Sequence, residues 1–285
     1  MMIKIIKTVT DMRVFVQEAR QAGKTIGLVP TMGALHEGHL TLMQEAKSAC
    51  NIVVASIFVN PTQFGPNEDF AAYPRKFEND CLLAEGVGVD AIFHPQPAEM
   101  YPPGFATYVN VTGITDKLCG LSRPGHFQGV ATVVTKLFNI VTPDIAFFGQ
   151  KDAQQCLVIQ RMVADLNMNL KINMVPTVRD ANGLALSSRN AYLAPEEARA
   201  ALVLSQSMQI AAQAVKKGER DIAVLRELVC NTIQAEPRAE IDYVEIYQYP
   251  DLQTTGTLTD KALLALAVRF GKTRLIDNII LSASN

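Results

Sequence analysis

Residues 24–59 read KTIGLVPTMGALHEGHLTLMQEAKSACNIVVASIFV, and this stretch decides the fold. Lys24 to Pro30 is a short apolar run closed by proline. Ile52 to Val59 is β-branched and almost wholly apolar, as expected of a strand buried on both faces. Between them, Gly38 to Ala49 sets Leu40, Met43 and Ala46 at helical spacing with polar residues opposite. Strand, loop, helix and strand in that order make a βαβ crossover, and a crossover implies parallel strands.

The alternation continues outward from this unit. Helices are expected near Arg75–Glu85, at Gly129–Val141 and at Ala153–Leu166, with strands at Asp90–His94 and Asp144–Phe148. That rhythm implies an α/β, Rossmann-like, doubly wound parallel sheet. After Lys171–Pro176 the pattern changes. Asn182-Gly183 is a hairpin signal between Pro176–Asp180 and Leu184–Ser188. Two helical stretches follow, Pro195–Lys217 and Asp221–Glu236, and strand-like runs then occupy Ile241–Tyr247, Ala262–Val268 and Thr273–Leu281. Consecutive helices followed by consecutive strands point to a smaller α+β domain, so the expected division is 1–180 and 181–285.

Composition narrows the function. Among 285 residues, 26 Lys and Arg stand against 28 Asp and Glu, a net charge of −2. There is no global basic field to drive binding to nucleic acid or an anionic membrane. The apolar runs fall far short of the roughly 20 residues that cross a bilayer. The opening MMIKIIKTVTD lacks the apolar core of a secretory signal, so a cytoplasmic location is expected. The five cysteines (Cys50, Cys81, Cys119, Cys156, Cys230) are odd in number and widely spaced, which fits neither a disulfide framework nor a CxxC site. They read as reduced, mostly buried thiols.

Two motifs are decoys. Gly-Lys-Thr at 23–25 and 271–273 lacks the glycine a phosphate loop needs five positions earlier, where Glu18 and Leu266 stand. Gly86 to Ala91 matches G-x-G-x-x-A, yet it leaves a helix and enters a strand, the reverse of the dinucleotide-binding context.

The chemistry concentrates in the first crossover loop, Pro30-Thr31-Met32-Gly33-Ala34-Leu35-His36-Glu37-Gly38-His39. Two histidines three apart at a helix start share one face. The loop leaves the carboxyl end of a strand, where free backbone N–H groups and the helix dipole favour an anion. Gly33 and Gly38 let a nucleotide lie close to the backbone. A protease-type zinc pair would need its histidines four apart, and position 40 is leucine. Three further segments look site-forming. DIAFFGQKDAQQ (144–155) runs from a strand through Gly149 into a helix, which places Lys151 and Asp152 at the sheet edge; Asp152 there also reads as a simple helix cap. Leu186-Ser187-Ser188-Arg189 offers two hydroxyls and a guanidinium that can fork onto phosphate, or a solvated loop. Gln63, after the second strand, and Gln155 are amides able to clamp a small polar substrate.

PTMGALHEGH (30–39), NPTQF (60–64), RPGHFQGV (123–130), FFGQKDAQQ (147–155) and LSSRNAYL (186–193), in this order, resemble the pantoate–β-alanine ligase family of the HIGH-type nucleotidyltransferase superfamily. The resemblance spans essentially the whole chain. It implies an ATP-dependent ligase that joins pantoate to β-alanine through a pantoyl adenylate, releasing AMP and pyrophosphate. It implies that Met32, Gly33, Ala34, Leu35, His36, Glu37, Gly38 and His39 form the ATP loop, continued by Gly149, Gln150, Lys151, Asp152, Val178, Leu186, Ser187, Ser188 and Arg189. His36, His39, Lys151 and Arg189 would carry the catalysis, with His39 in the position usually assigned as proton donor. Gln63 and Gln155 would bind pantoate, and Mg²⁺ would accompany ATP. A homodimer through the N-terminal domains and closure of the C-terminal domain over the ATP site are also implied. Arg123 and His126 carry no assigned role. Competing readings are a nucleotidyltransferase that stops at a nucleotidyl product and a nucleotide sensor without catalysis; the full set of His36, His39, Lys151 and Arg189 argues against the sensor.

Overall fold

The computed structural model describes residues 3–66 and 68–284 and resolves the chain into two compact units. The first comprises residues 1–150 and 154–176, the second residues 151–153 and 177–285.

The first unit begins with β1 (Lys4–Ile6) and α1 (Val9–Gln21), followed by β2 (Ile26–Thr31), α2 (Glu37–Ala49), β3 (Ile52–Ile57), α3 (Phe77–Gly86) and β4 (Ala91–Phe93). Short helices α4 (Pro97–Met100) and α5 (Cys119–Ser122) lead to α6 (His126–Val141), β5 (Ile145–Gly149), α7 (Ala153–Asp165) and β6 (Lys171–Val175). The six strands form one sheet in the order β1-β4-β3-β2-β5-β6, with every neighbour parallel. The doubly wound expectation holds. β3 is buried at all six positions because helices cover both faces, which is why its sequence shows no polar alternation. Val29, Leu40, Met43, Val53, Ile92 and Phe147 share one core on one side of the sheet. Asp144 ties the sheet to α1: its carboxylate accepts from the Ile26 amide at 2.6 Å and from Arg20 Nη1 at 2.7 and 2.8 Å.

The strand order fixes where a ligand belongs. From β2 the chain builds outward through β3 and β4, then returns to the other side of β2 with β5 and β6. The switch therefore lies between β2 and β5, whose carboxyl ends release Met32–His39 and Gly149–Gln150. Open α/β sheets bind ligands in the crevice at such a point.

The second unit holds α8 (Pro195–Ala200), α9 (Val203–Lys216), α10 (Ile222–Gln234) and an antiparallel sheet of β7 (Ala239–Gln248), β8 (Lys261–Phe270) and β9 (Thr273–Ser282) in that order. Leu204, Met208, Leu225, Val229, Leu264 and Leu266 form its core. Asp221 caps α10 by accepting from the Ala223 and Val224 amides.

Two expectations change. The 176–188 hairpin shrinks to a single bridge between Arg179 and Ala185, because the Asp180 carboxylate takes the amides of Asn182 and Leu184 and closes the turn locally. The helix expected over 195–217 breaks at Ala201–Leu202, where the Leu202 amide turns back to the Arg199 carbonyl in a tighter turn. The strand β1 and helix α1 were not anticipated. All five cysteines are free thiols, and Cys50, Cys119 and Cys156 are buried, as expected.

Candidate active site

The first crossover loop builds its own geometry. His36 caps α2: its Nδ1 accepts from the Gly38 amide at 3.2 Å. His39 Nδ1 accepts in return from the His36 amide at 3.4 Å, and the rings lie 4.1 Å apart. Nitrogens that accept carry no proton, so both imidazoles are fixed as neutral tautomers protonated on Nε2. The spacing of three residues thus has a local reason, a capping box made of two histidines.

The rest of the loop is also self-satisfied. Gly33 and Ala34 have φ of +82° and +51°, and the Gly33 amide donates to Thr31 Oγ1 at 3.1 Å. The amides of Ala34 and Leu35 donate to Asp80 Oδ2 and Oδ1 at 2.9 and 2.8 Å, and those of His39 and Leu40 to the His36 carbonyl. The amides of this loop, expected to face an anion, are therefore largely spent inside the protein. A Cβ on Gly33 would stand 2.9 Å from Asp80 Oδ2, so glycine is required there by the carboxylate beneath the loop as well as by φ.

Gln63 closes a 3-10 turn (Pro61–Gln63) beyond β3 and is 9% exposed. Its Oε1 accepts from Asn60 Nδ2 at 3.1 Å, and its Nε2 donates to Met32 Sδ at 3.1 Å, which brings Met32 and Gln63 together. Asn60 is buried and holds the turn, donating also to the Gly129 carbonyl and accepting from Tyr101 Oη at 2.8 Å. Burial pushes the Tyr101 phenol up, against the opposing hydrogen bonds of Thr62 and Asn60. Beside it Lys136 Nζ lies 5.7 Å from the Tyr101 ring centre and 4.8 Å from that of Phe105, and burial holds its ammonium below the usual lysine range. Gly149 ends β5, Gln150 enters a 3-10 turn, and Gln155 sits half-buried on the first turn of α7. Its neighbour Gln154 is structural: it accepts from the Cys119 amide and donates to the carbonyls of Ile114 and Lys117.

Within the second unit, Asn278 Nδ2 donates to the Lys151 carbonyl at 2.9 Å, and Asp152 is exposed. The Val178 carbonyl accepts from the Leu186 amide, and Ser187 Oγ accepts from the Arg189 amide at 3.2 Å, which caps the 3-10 turn Ser188–Tyr192. Arg179 forks onto the buried Asp277 at 2.7 and 2.9 Å. Thr177 Oγ1 and Asn190 Oδ1 are buried without a hydrogen-bond partner, leaving polar capacity beside this turn.

Residues 4–280 match the family described as Pantoate-beta-alanine ligase. The chain belongs to that family. A pantothenate synthetase from Pelotomaculum thermopropionicum is 64% identical over 277 residues, 97% of this chain and 98% of the relative. One from Acetivibrio thermocellus is 54% identical over 278 residues, 98% and 99% of the two. The crystal structure of pantothenate synthetase from Thermus thermophilus aligns with a TM-score of 0.92 at 44% identity, covering 97% of this chain and 99% of that one. The pantoate–β-alanine ligase of Francisella tularensis, complexed with β-γ ATP and β-alanine, aligns at 0.79 and 34% identity, over 98% and 97%. The ATP-dependent joining of pantoate and β-alanine is the activity of this ligase family.

Sequence reasoning missed Asp80, Asn60 and Lys136. Asp80 carried one usable signal: Phe77, Asp80 and Ala84 fall on one helical face, and the latter two are the buried residues of α3.

Proposed function

We propose that Met32–His39, with Gly149–Asp152, Val178 and Leu186–Arg189, binds ATP and that Gln63 and Gln155 orient pantoate. In the first step the pantoate carboxylate attacks the α-phosphorus and expels pyrophosphate, giving the acyl adenylate. In the second the β-alanine amine attacks the acyl carbon and expels AMP. Neither step needs a protein nucleophile, so the protein's work is positioning and stabilising negative charge. The observation that carries the reading is the pair His36 and His39 at the β2–β5 switch, two imidazoles 4.1 Å apart held on their Nδ1 atoms by a capping box. Lys151 and Arg189 supply positive charge, Lys151 as a point charge and Arg189 as a fork.

Among the described residues, no group of three or more His, Cys, Asp and Glu could hold a metal ion. Imidazoles protonated on Nε2 suit phosphate oxygens rather than a cation. Mg²⁺ is accordingly read as arriving on the ATP phosphates, where it neutralises charge. The homodimer and cytoplasmic location implied by the sequence belong to the same proposal; among the described residues no helix is long and apolar enough to cross a membrane.

Mass spectrometry of the protein with ATP, Mg²⁺, pantoate and β-alanine should show pantothenate and AMP in equal amounts. Pyrophosphate release that leaves a stable nucleotidyl product and no AMP, even with the amine present, would instead indicate an enzyme that stops at nucleotide transfer. His39→Ala and Lys151→Ala should each lower turnover about 10²- to 10³-fold, as for loss of one transition-state donor. Pyrophosphate release near the native rate in both variants would refute the site assignment.

A further inference from the structure

We propose that His126, held by Arg123 and Glu68, is a positioning residue for Gln63 and so sets pantoate affinity. This rests on the reading of Gln63 as a pantoate ligand. Gln63 ends its 3-10 turn, and the turn leaves its backbone carbonyl without an internal donor. His126 Nδ1 reaches that carbonyl at 2.8 Å, and Arg123 Nη2 approaches it at 3.4 Å. Arg123 Nη1 lies 3.0 Å from His126 Nε2. A guanidinium can only donate, so Nε2 accepts and the ring proton sits on Nδ1, directed at the Gln63 carbonyl. Arg123 is in turn fixed by a two-pronged contact, Nε and Nη2 to the Glu68 carboxylate at 2.6 and 2.7 Å. The chain of contacts runs from carboxylate to guanidinium to imidazole and ends on the backbone of a single residue.

Gly129 pins the same backbone from α6: a Cβ there would overlap the Thr62 carbonyl oxygen and stand 2.7 Å from Gln63 Cα. With Asn60 on its Oε1 and Met32 Sδ on its Nε2, Gln63 is constrained at carbonyl, Cα and side chain. The Arg123–Glu68 ion pair is mostly shielded, its side chains 22% and 25% exposed. Its place in this relay adds a further use, fixing the direction of one amide.

The test is a split between substrate constants. His126→Ala should raise the pantoate KM about tenfold, the effect of one hydrogen bond, with the ATP KM unchanged. His126→Asn, which can still donate to the carbonyl, should recover most of the loss. In a Gln63→Ala background, His126→Ala should add nothing further. Arg123→Lys keeps the charge but loses the fork, and should show the same KM split even if His126→Ala folds poorly. A pantoate KM within twofold of native in His126→Ala and Arg123→Lys would overturn the positioning role, as would an undiminished effect of His126→Ala without the Gln63 side chain. A native pantoate KM in Gln63→Ala would overturn the substrate reading of Gln63 itself, and the positioning role with it. Loss in Gln63→Ala with none in His126→Ala would overturn the positioning role alone.

Discussion

Asp80→Asn probes what holds the 32–39 loop in shape. The native carboxylate is 1% exposed and accepts from the Ala34 and Leu35 amides at 2.9 and 2.8 Å. Asparagine keeps the volume but only one acceptor oxygen, and its NH₂ group faces the second amide, donor against donor. One bond falls from charge-assisted to neutral strength, a loss of about 1 kcal/mol, and the other leaves a buried N–H unsatisfied at about 2 kcal/mol. The sum of about 3 kcal/mol corresponds to roughly a hundredfold change in the local opening equilibrium. Hydrogen exchange at the Ala34 and Leu35 amides should therefore accelerate about a hundredfold. The kcat/KM for ATP should fall by at least about tenfold, since misplacing positioned groups is costly in rate. Exchange within threefold of native, together with an unchanged kcat/KM, would refute the reasoning and shift the credit to the His36–His39 capping pair.

Gly129→Ala should displace the 60–64 turn, because its Cβ would overlap the Thr62 carbonyl; a rise in pantoate KM with little change in ATP KM checks it. Arg179→Ala strands the buried Asp277 carboxylate, and loss of one partner of such a pair should destabilise the second unit by about 3–5 kcal/mol, read by urea denaturation. For Glu68, burial alone would raise the carboxyl, but the hydrogen bonds and charge of Arg123 outweigh it and hold it below the usual glutamate range. A depressed carboxyl stabilises the fold above its unfolded value and loses that contribution as pH falls through the lower folded one. Glu68→Gln should accordingly flatten part of the acid limb of stability, measured by denaturation at a series of pH values.

The parallel sheet was legible because β2 and β3 are strong, long apolar runs, and burial on both faces leaves no other reading for IVVASIFV. β1 was not, since three residues paired only with β4 carry no periodicity of their own. The break between α8 and α9 hides for the opposite reason: apolar spacing runs on through Ala200, Ala201, Val203 and Leu204, all buried, although the hydrogen bonds tighten there. His36, His39 and Gln63 stood out by residue type and by position at strand ends. Their supports did not. Asp80, Asn60 and Arg123 are ordinary polar residues until the chain is folded, because the partners that explain them lie 46, 69 and 55 positions away.

The amide accounting of the first loop changes how an anion would be met. A helix start normally offers its unsatisfied N–H groups to a ligand. Here Asp80 takes those of Ala34 and Leu35, His36 Nδ1 takes that of Gly38, and the His36 carbonyl takes those of His39 and Leu40. A protein carboxylate thus takes two successive loop amides that would otherwise be available to an anion. The loop is thereby held by its own hydrogen bonds, and on the proposed reading the donor function passes to the imidazoles, whose placement the capping box sets. A donor already oriented costs little reorganisation when charge develops on phosphate. The imidazoles in this tautomer are neutral, so they contribute direction and hydrogen bonds rather than full charge. On the proposed reading, full positive charge is the part of Lys151 and Arg189, and removing either should weaken ATP binding in a salt-dependent way that removing His36 or His39 does not.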